Sequence, residues 1–297
     1  MIKIKPFIKW AGGKSQLLAD IKQTYPKELG KSINRYCEPF IGGGAVLFDI
    51  LSNYQLDEIY ISDINAELIN TYHIIKTDVE SLINGLEIRQ DDYLSLDLEN
   101  RKKYYYKMRE CFNTEKSNNK KNKNVDRAIL FIFLNHTCFN GLYRVNSKGM
   151  FNVPVGSYKK PLICDATNLL NVSDALKNVT IQCGDYRESG EFIDKNTFVY
   201  LDPPYRPLNA TASFTAYTEN QFGDQAQREL ASFINDLNDR EAKVVLSNSD
   251  PKNENEDDNF FDDLYKTLKI NRITAKRMIN CNGDSRGNIK ELLITNS

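Results

Sequence analysis

Asp202-Pro203-Pro204-Tyr205 directly follows the apolar run Phe198-Val199-Tyr200-Leu201. Two successive prolines cannot continue a central strand, so the chain must turn there. Strand ends of this kind are where open α/β sheets place ligands. The residue types suit one reaction. A heteroaromatic base swung out of its stack can lie on Tyr205. Its exocyclic amine can then donate one hydrogen bond to the Asp202 carboxylate and another to the Pro203 carbonyl. Such an amine is a poor nucleophile because its lone pair is delocalised into the ring. Two acceptors localise that pair and favour a tetrahedral, positively charged transition state. The scheme uses no histidine, and the chain has two, His73 and His136. The plainer alternative is a proline-containing loop in which Asp202 only caps a turn.

A second candidate is Glu38-Pro39-Phe40-Ile41-Gly42-Gly43-Gly44, between a β-rich run and a helical one. Glycines there let a nucleoside-type ligand approach the backbone. Asp63 stands 19 residues beyond Gly44, the offset of an acid that binds ribose hydroxyls. Leu47 occupies the third glycine position of the dinucleotide fingerprint, which favours a mononucleoside over a pyrophosphate ligand. A tight turn followed by a helix-capping Asp63 fits the pattern equally well. A third stretch, Phe7 to Ser15 (FIKWAGGKS), ends like a phosphate-binding loop, but GxxxxGK[ST] needs glycine where Ile8 stands. Trp10 and Lys14 then line a ligand pocket, or Trp10 anchors the core beside a surface Lys14.

The elements that must position these residues follow from periodicity. β-rich runs at Arg35–Phe40, Glu58–Asp63, Val179–Asp185, Thr197–Asp202, Lys243–Asn248 and Glu291–Asn296 predict buried strands. Helical patterns cover Lys14–Thr24, Ala45–Leu51, Ala66–Thr77 and Glu219–Asn238. The alternation predicts an α/β fold with a doubly wound, mostly parallel, Rossmann-like sheet. The 116-residue step from Asp63 to Val179 far exceeds the roughly 30 residues of a βαβ unit. It predicts an inserted, mainly helical domain over 66–174, with the remaining domain split between 1–65 and 175–297. Within it, Arg101–Lys160 carries 14 Lys and Arg against three acids, although the whole chain of 297 residues has net charge −1. A nucleic-acid contact would therefore be local to this segment. Lys116–Asn124 predicts a mobile loop, Asn124–Thr137 a buried helix, and Phe139–Tyr158 a β-hairpin turning at Asn146–Gly149. Asp250–Asp263 carries seven acids and one Lys, and Lys266–Lys290 seven bases and one acid. They predict a solvated acidic loop beside a basic strand pair that could also lie along phosphates.

Other classes are disfavoured. Six cysteines, no two within four residues, give neither zinc pairs nor a secreted disulfide framework, and no metal site is expected. The longest apolar run is the seven residues Ala128–Leu134, far short of a membrane span. Met1–Gly13 lacks a signal-peptide core, so a soluble cytoplasmic protein is expected.

Taken together, FIKWAGGK, EPFIGGG, SDINAELIN, FNGLYRVNSKGMFNVPVG and YLDPPY, in that order over nearly the whole chain, resemble the Dam-type DNA adenine-N6 methyltransferases. The resemblance implies S-adenosyl-L-methionine as cofactor, double-stranded DNA as substrate, adenine as target, commonly in GATC, and base flipping. By position it implies that Trp10, Lys14, Asp63 and Asp202 contact the cofactor, with Asp63 on the ribose. Phe40, Gly42 and Gly44 would border its methionine end, and Asp185 and Tyr186 its adenine. Asp202, Pro203, Pro204 and Tyr205 would form the catalytic motif. Lys9, Phe139, Asn140, Leu142, Arg144, Pro154 and Tyr158 would face DNA. Arg144 suits guanine O6 and N7, Leu142 a thymine methyl, and Phe139 a wedge in the base stack. The family also includes restriction-modification enzymes, whose cognate endonuclease is a functional rather than physical partner. Two rivals share these residues: a methyltransferase for RNA adenine-N6 or cytosine-N4, and a DNA-binding module with a dead cofactor site.

Overall fold

The computed structural model describes residues 4–115, 124–206, 222–276 and 288–296. In chain order the elements are α1 (Leu18–Lys22), β1 (Arg35–Glu38), α2 (Ala45–Asn53), β2 (Glu58–Asp63), α3 (Ala66–Thr77), α4 (Val79–Ser95), α5 (Leu98–Glu115), α6 (Val125–Thr137), α7 (Ala166–Ala175), β3 (Val179–Cys183), β4 (Thr197–Leu201), α8 (Asp224–Asp239), β5 (Lys243–Ser249), α9 (Phe260–Leu264), β6 (Lys269–Lys276) and β7 (Asn288–Thr295). The seven strands form one sheet in the order β3-β2-β1-β4-β5-β7-β6. Strands β1 to β5 run parallel, whereas β7 is antiparallel to both its neighbours. The mostly parallel α/β sheet expected from sequence is thus present.

Side-chain alternation divides the interior in two. Tyr36, Ile61, Phe198, Tyr200, Val245 and Leu293 face one side, with α2, α3 and the helices α4 to α7. Cys37, Tyr60, Val199, Leu201, Val244 and Leu246 face the other, against Leu230, Ile234 and Leu237 of α8. Every residue of β4 is buried, as a strand covered on both faces requires. The strand order reverses between β1 and β4, so a crevice opens at their carboxyl ends, the switch point where such sheets bind ligands. The loops after β1 (the glycines) and after β4 (Asp202 to Tyr205) both emerge there.

The long step between β2 and β3 is filled mainly by helices. Helix α6 lies at its centre, buried along nearly its whole length, and packs on α3, α4 and α5. Its apolar stripe carries a buried guanidinium: Arg127 donates to Glu67 of α3 at 2.6 Å and to the Phe112 carbonyl of α5 at 3.0 Å. The following segment doubles back as a hairpin, paired at Cys138↔Val155 and Val145↔Phe151. The turn closes through Gly149 N–H to the Asn146 carbonyl at 2.7 Å. Pairing stays limited to these bridges because Asn140 and Gly141 adopt positive φ and Pro154 has no N–H to donate.

Two expectations need adjustment. Helices α4, α5 and α7 add to the helical runs that periodicity predicts, and β6 forms part of the basic strand pair. The acidic block is not simply solvated. Asp250 is fully buried and paired with Arg272 at 2.8 Å, and Asp262 takes the same guanidinium at 2.7 Å. Asp258 pairs with Arg206 at 2.6 Å. A buried carboxylate needs such a partner, which the sequence blocks alone do not reveal. The Lys116–Asn124 loop up to position 123, the start of the Glu219–Asn238 helix, and 277–287 of the basic block lie outside the described residues. No helix among the described residues is long and apolar enough to cross a membrane.

The buried Arg127–Glu67 pair yields a stability test. Arg127→Ala leaves Glu67 without its partner and should cost about 3 kcal/mol in urea unfolding. Lys177→Ala, breaking the exposed pair with Asp174, should cost less than about 1 kcal/mol. Equal midpoints for the two variants would contradict the assignment.

Candidate active site

Lys14 is the hub of the crevice. Although a lysine, it is buried, and its Nζ donates to the Gly12 carbonyl and pairs with Asp202 Oδ1, both at 2.8 Å. The same ammonium sits 4.7 Å from the centre of the Tyr205 ring. Burial of a charge is tolerated because a carboxylate, a carbonyl and an aromatic face replace its water. Lys14 therefore touches the reactive motif itself as well as lining the crevice.

Asp202 is held by a second donor. Ser247 of β5 gives its hydroxyl proton to Asp202 Oδ1 at 2.8 Å and accepts one from Tyr200 at 3.2 Å. Both donors thus converge on Oδ1. No described residue donates to Oδ2 or to the Pro203 carbonyl. The motif's backbone is fixed from α8, where buried Gln227 donates to the Pro204 carbonyl at 3.3 Å and accepts from Asn248 at 3.2 Å. Tyr205 donates its phenol proton to Glu291 Oε2 of β7 at 2.7 Å. Burial first, and then the neighbouring Asp202 and Glu291 carboxylates, push that phenol well above its ordinary range, so it stays a neutral donor.

Across the crevice, Gly42 and Gly44 both have positive φ, at 47° and 72°. A Cβ on Gly42 would lie 2.9 Å from the Trp10 ring, and one on Gly44 2.5 Å from the Tyr72 hydroxyl. Glycine is required there for close approach as well as for conformation. Asp63 binds this loop, accepting from Gly42 N–H at 3.1 Å and Asn65 N–H at 2.9 Å. The cap of α3 is Asn65, which accepts from Glu67 and Leu68 N–H, so Asp63 is not the helix cap. Burial raises the Asp63 carboxyl above its usual range, against those backbone donors. Beneath the loop, Glu38 is buried with the Tyr36 hydroxyl on it at 2.7 Å, and desolvation drives its carboxyl well up. Phe40 stacks on Tyr186 at 5.2 Å. Asp185 caps the 3₁₀ turn that begins at Tyr186 and pairs with Arg187 at 3.3 Å, so its carboxylate is already engaged.

The residues expected to face DNA gather at the hairpin. Lys9, Phe139, Asn140, Arg144 and Pro154 are exposed, while Leu142 and Tyr158 are half-buried. Lys9 Nζ donates to the Tyr158 hydroxyl at 3.2 Å, and Arg144 Nε to Asn152 at 2.8 Å. Asn135 of α6 joins this group to the crevice segment. Its side chain accepts from Lys9 N–H at 2.9 Å and donates to the carbonyls of Lys9 and Gly141 at 2.8 and 2.9 Å. Next to Lys9, Trp10 stacks on Tyr143 of the hairpin at 5.7 Å. Residue types alone did not single out Ser247, Gln227, Glu291 or Asn135. Asn135, after the apolar run of α6, carried a signal that could have found it; Ser247, Gln227 and Glu291 become legible only through the fold.

The fold and the cluster define an α/β enzyme with its reactive groups at the carboxyl edge of a parallel sheet. A family model described as D12 class N6 adenine-specific DNA methyltransferase matches residues 10–279. The chain is 52% identical over 301 residues to the Type II methyltransferase M.MjaIII of Methanocaldococcus jannaschii, covering 99% of this chain and all of that protein. It is 37% identical to the Type II methyltransferase M1.LlaDCHI of Lactococcus lactis, over 99% of this chain and 96% of that one. It is 36% identical to the DNA adenine methylase of Escherichia coli strain K12, over 99% and 95% of the two chains. The chain therefore belongs to the D12 class of N6 adenine-specific DNA methyltransferases, and it is an enzyme of DNA adenine methylation.

The Ser247 bond can be weighed separately. Ser247→Ala removes one of the two donors to Oδ1, a charge-assisted bond worth roughly 1.5–3 kcal/mol. Methyl transfer to DNA should slow about 10- to 100-fold. A rate within twofold of wild type in a folded variant would rule out a role for the hydroxyl.

Proposed function

We propose that this enzyme methylates adenine N6 in duplex DNA, in GATC, using S-adenosyl-L-methionine and a flipped target base. The arrangement that carries the reading is the Asp202 carboxylate with Oδ1 taken by Lys14 and Ser247, and with no donor to Oδ2 or the Pro203 carbonyl among the described residues. These two acceptors match the two N–H groups of an exocyclic amine. Tyr205 offers the flipped adenine a ring face, and Lys14 and Glu291 hold it by its other face and its hydroxyl.

The residues fit the cofactor. Gly42 and Gly44, packed against the Trp10 ring and the Tyr72 hydroxyl, keep the loop backbone close to the crevice without side chains of its own. Asp63 keeps lone pairs for ribose hydroxyls beyond its two backbone bonds, and Phe40 and Tyr186 give a stacked aromatic wall. Trp10 borders the glycines, and Lys14 joins this side of the crevice to Asp202. Asp185 serves through the turn it caps. When bound, S-adenosyl-L-methionine supplies an electrophilic methyl on a cationic sulfur. Asp202 Oδ2 and the Pro203 carbonyl draw the amine protons into the acceptor plane, so the nitrogen lone pair turns toward that methyl. The amine would form its bond to the methyl as the methyl–sulfur bond breaks, leaving a neutral thioether and no covalent enzyme intermediate, and its surplus proton would leave to solvent or through Asp202. Pro203 and Pro204 keep the turn rigid, which holds the two acceptors at a fixed spacing.

Residues 66–174 act as the target-recognition domain of a catalytic domain formed by 1–65 and 175–297. Arg144, Asn140 and Leu142 present chemistry for base edges, and Lys9, Pro154 and Tyr158 flank them. Phe139, half exposed at the hairpin base, would fill the space left by the target. The many lysines supply phosphate affinity without sequence information. The setting is the cytoplasm, and the relatives named as type II methyltransferases suit a functional partnership with a restriction endonuclease.

Expression in a host free of DNA methylation, followed by mapping of its genome, tests the reading. N6-methyladenine at GATC is expected throughout. Modified cytosine, or label confined to RNA, would refute it; N6-methyladenine in another motif would refute only the GATC assignment.

A further inference from the structure

The antiparallel strand β7 supplies no group to the reacting atoms in the mechanism above, yet its direction brings Glu291 to Tyr205. Parallel strands point their carboxyl ends at the crevice. An antiparallel neighbour instead brings its amino-terminal residues to that edge. Glu291 stands near the start of β7, in register with Ser249 at the end of β5 and with Ile273 of β6. Its carboxylate reaches the Tyr205 hydroxyl at 2.7 Å. Among the described residues, two side chains hold the Tyr205 ring: the Lys14 ammonium on its face and Glu291 on its hydroxyl.

We infer that Glu291 is a positioning residue, which fixes the Tyr205 ring as a platform for the displaced adenine. The inference rests on the reading of Tyr205 as that platform. Glu291 need not touch DNA or cofactor to act; it sets the angle of a ring that does. A wandering ring would leave the adenine amine misaligned with Asp202, which lowers the rate of the bound complex more than its formation.

The test uses the full-length enzyme, duplex DNA, and a second duplex with 2-aminopurine at the target. Glu291→Leu should lower kcat about 10- to 100-fold, the range expected for one charge-assisted bond, with KM for DNA within about threefold. Glu291→Gln keeps an acceptor oxygen and should recover most of the loss. Tyr205→Phe removes the same bond from the other side without altering the sheet. It should match Glu291→Leu, and the double variant should fall no further. The 2-aminopurine fluorescence rise on binding should persist in Glu291→Leu with altered intensity. Additive losses, or Glu291→Gln as slow as Glu291→Leu, would instead mark Glu291 as a counter-charge for Lys14 and overturn the inference. So would an unchanged kcat in Glu291→Leu. No fluorescence rise with the wild-type enzyme would contradict the platform reading itself.

Discussion

A lysine ammonium cannot stay buried without replacements for its water, and the crevice is organised around meeting that constraint at Lys14. The Gly12 carbonyl, the Asp202 carboxylate and the Tyr205 ring surround it. Those three partners come from the amino-terminal turn and from the loop after β4. The ion pair therefore joins chain segments nearly two hundred positions apart and holds Asp202 in one orientation. Ser247 and Tyr200 complete the support from beneath, so among the described residues the carboxylate has two donors on Oδ1 and none on Oδ2. Asymmetry of this kind suits a group that must accept a single N–H rather than compete for several.

The same amino-terminal segment touches both the hairpin and the crevice. Lys9 and Trp10 are adjacent, yet Lys9 belongs to the exposed hairpin surface and Trp10 to the glycine loop. Asn135 fixes the backbone of Lys9 to the Gly141 turn with three hydrogen bonds, and Tyr143 stacks on Trp10. The indole thus bridges the hairpin and the glycine loop, since a Cβ at Gly42 would lie 2.9 Å from the Trp10 ring. The apolar stripe of α6 keeps this connection stiff, and the Arg127–Glu67 pair locks α6 to α3, which starts at the Asp63 end of the sheet.

Much of this was legible beforehand because it depends on local pattern. Buried parallel strands appear as continuous apolar runs, and β1, β2, β3, β4 and β5 fall within one or two residues of their expected bounds. The proline pair forced a turn wherever the chain went. What remained hidden depends on tertiary partners. Helix α5 is rich in charge and tyrosine, and its core contacts, Tyr105, Met108 and Phe112, are too sparse to stand out. Strand β6 was legible only as part of a basic strand pair, because as an edge strand it alternates polar residues. Asp250 lies in an acidic run that looks solvated, and only the fold brings Arg272 to it. Glu291 and Ser247 looked like ordinary strand residues, and their meaning comes from the reversed direction of β7 and the register of β5.

The central claim is that the charge on Asp202, with one oxygen tied down and the other left for the amine, drives the reaction. Single-turnover methyl transfer by Asp202→Asn measures it most directly, because the amide keeps the shape and removes the charge. The rate should fall by about a thousandfold or more while DNA affinity holds within a fewfold. A single-turnover rate close to wild type would contradict the account.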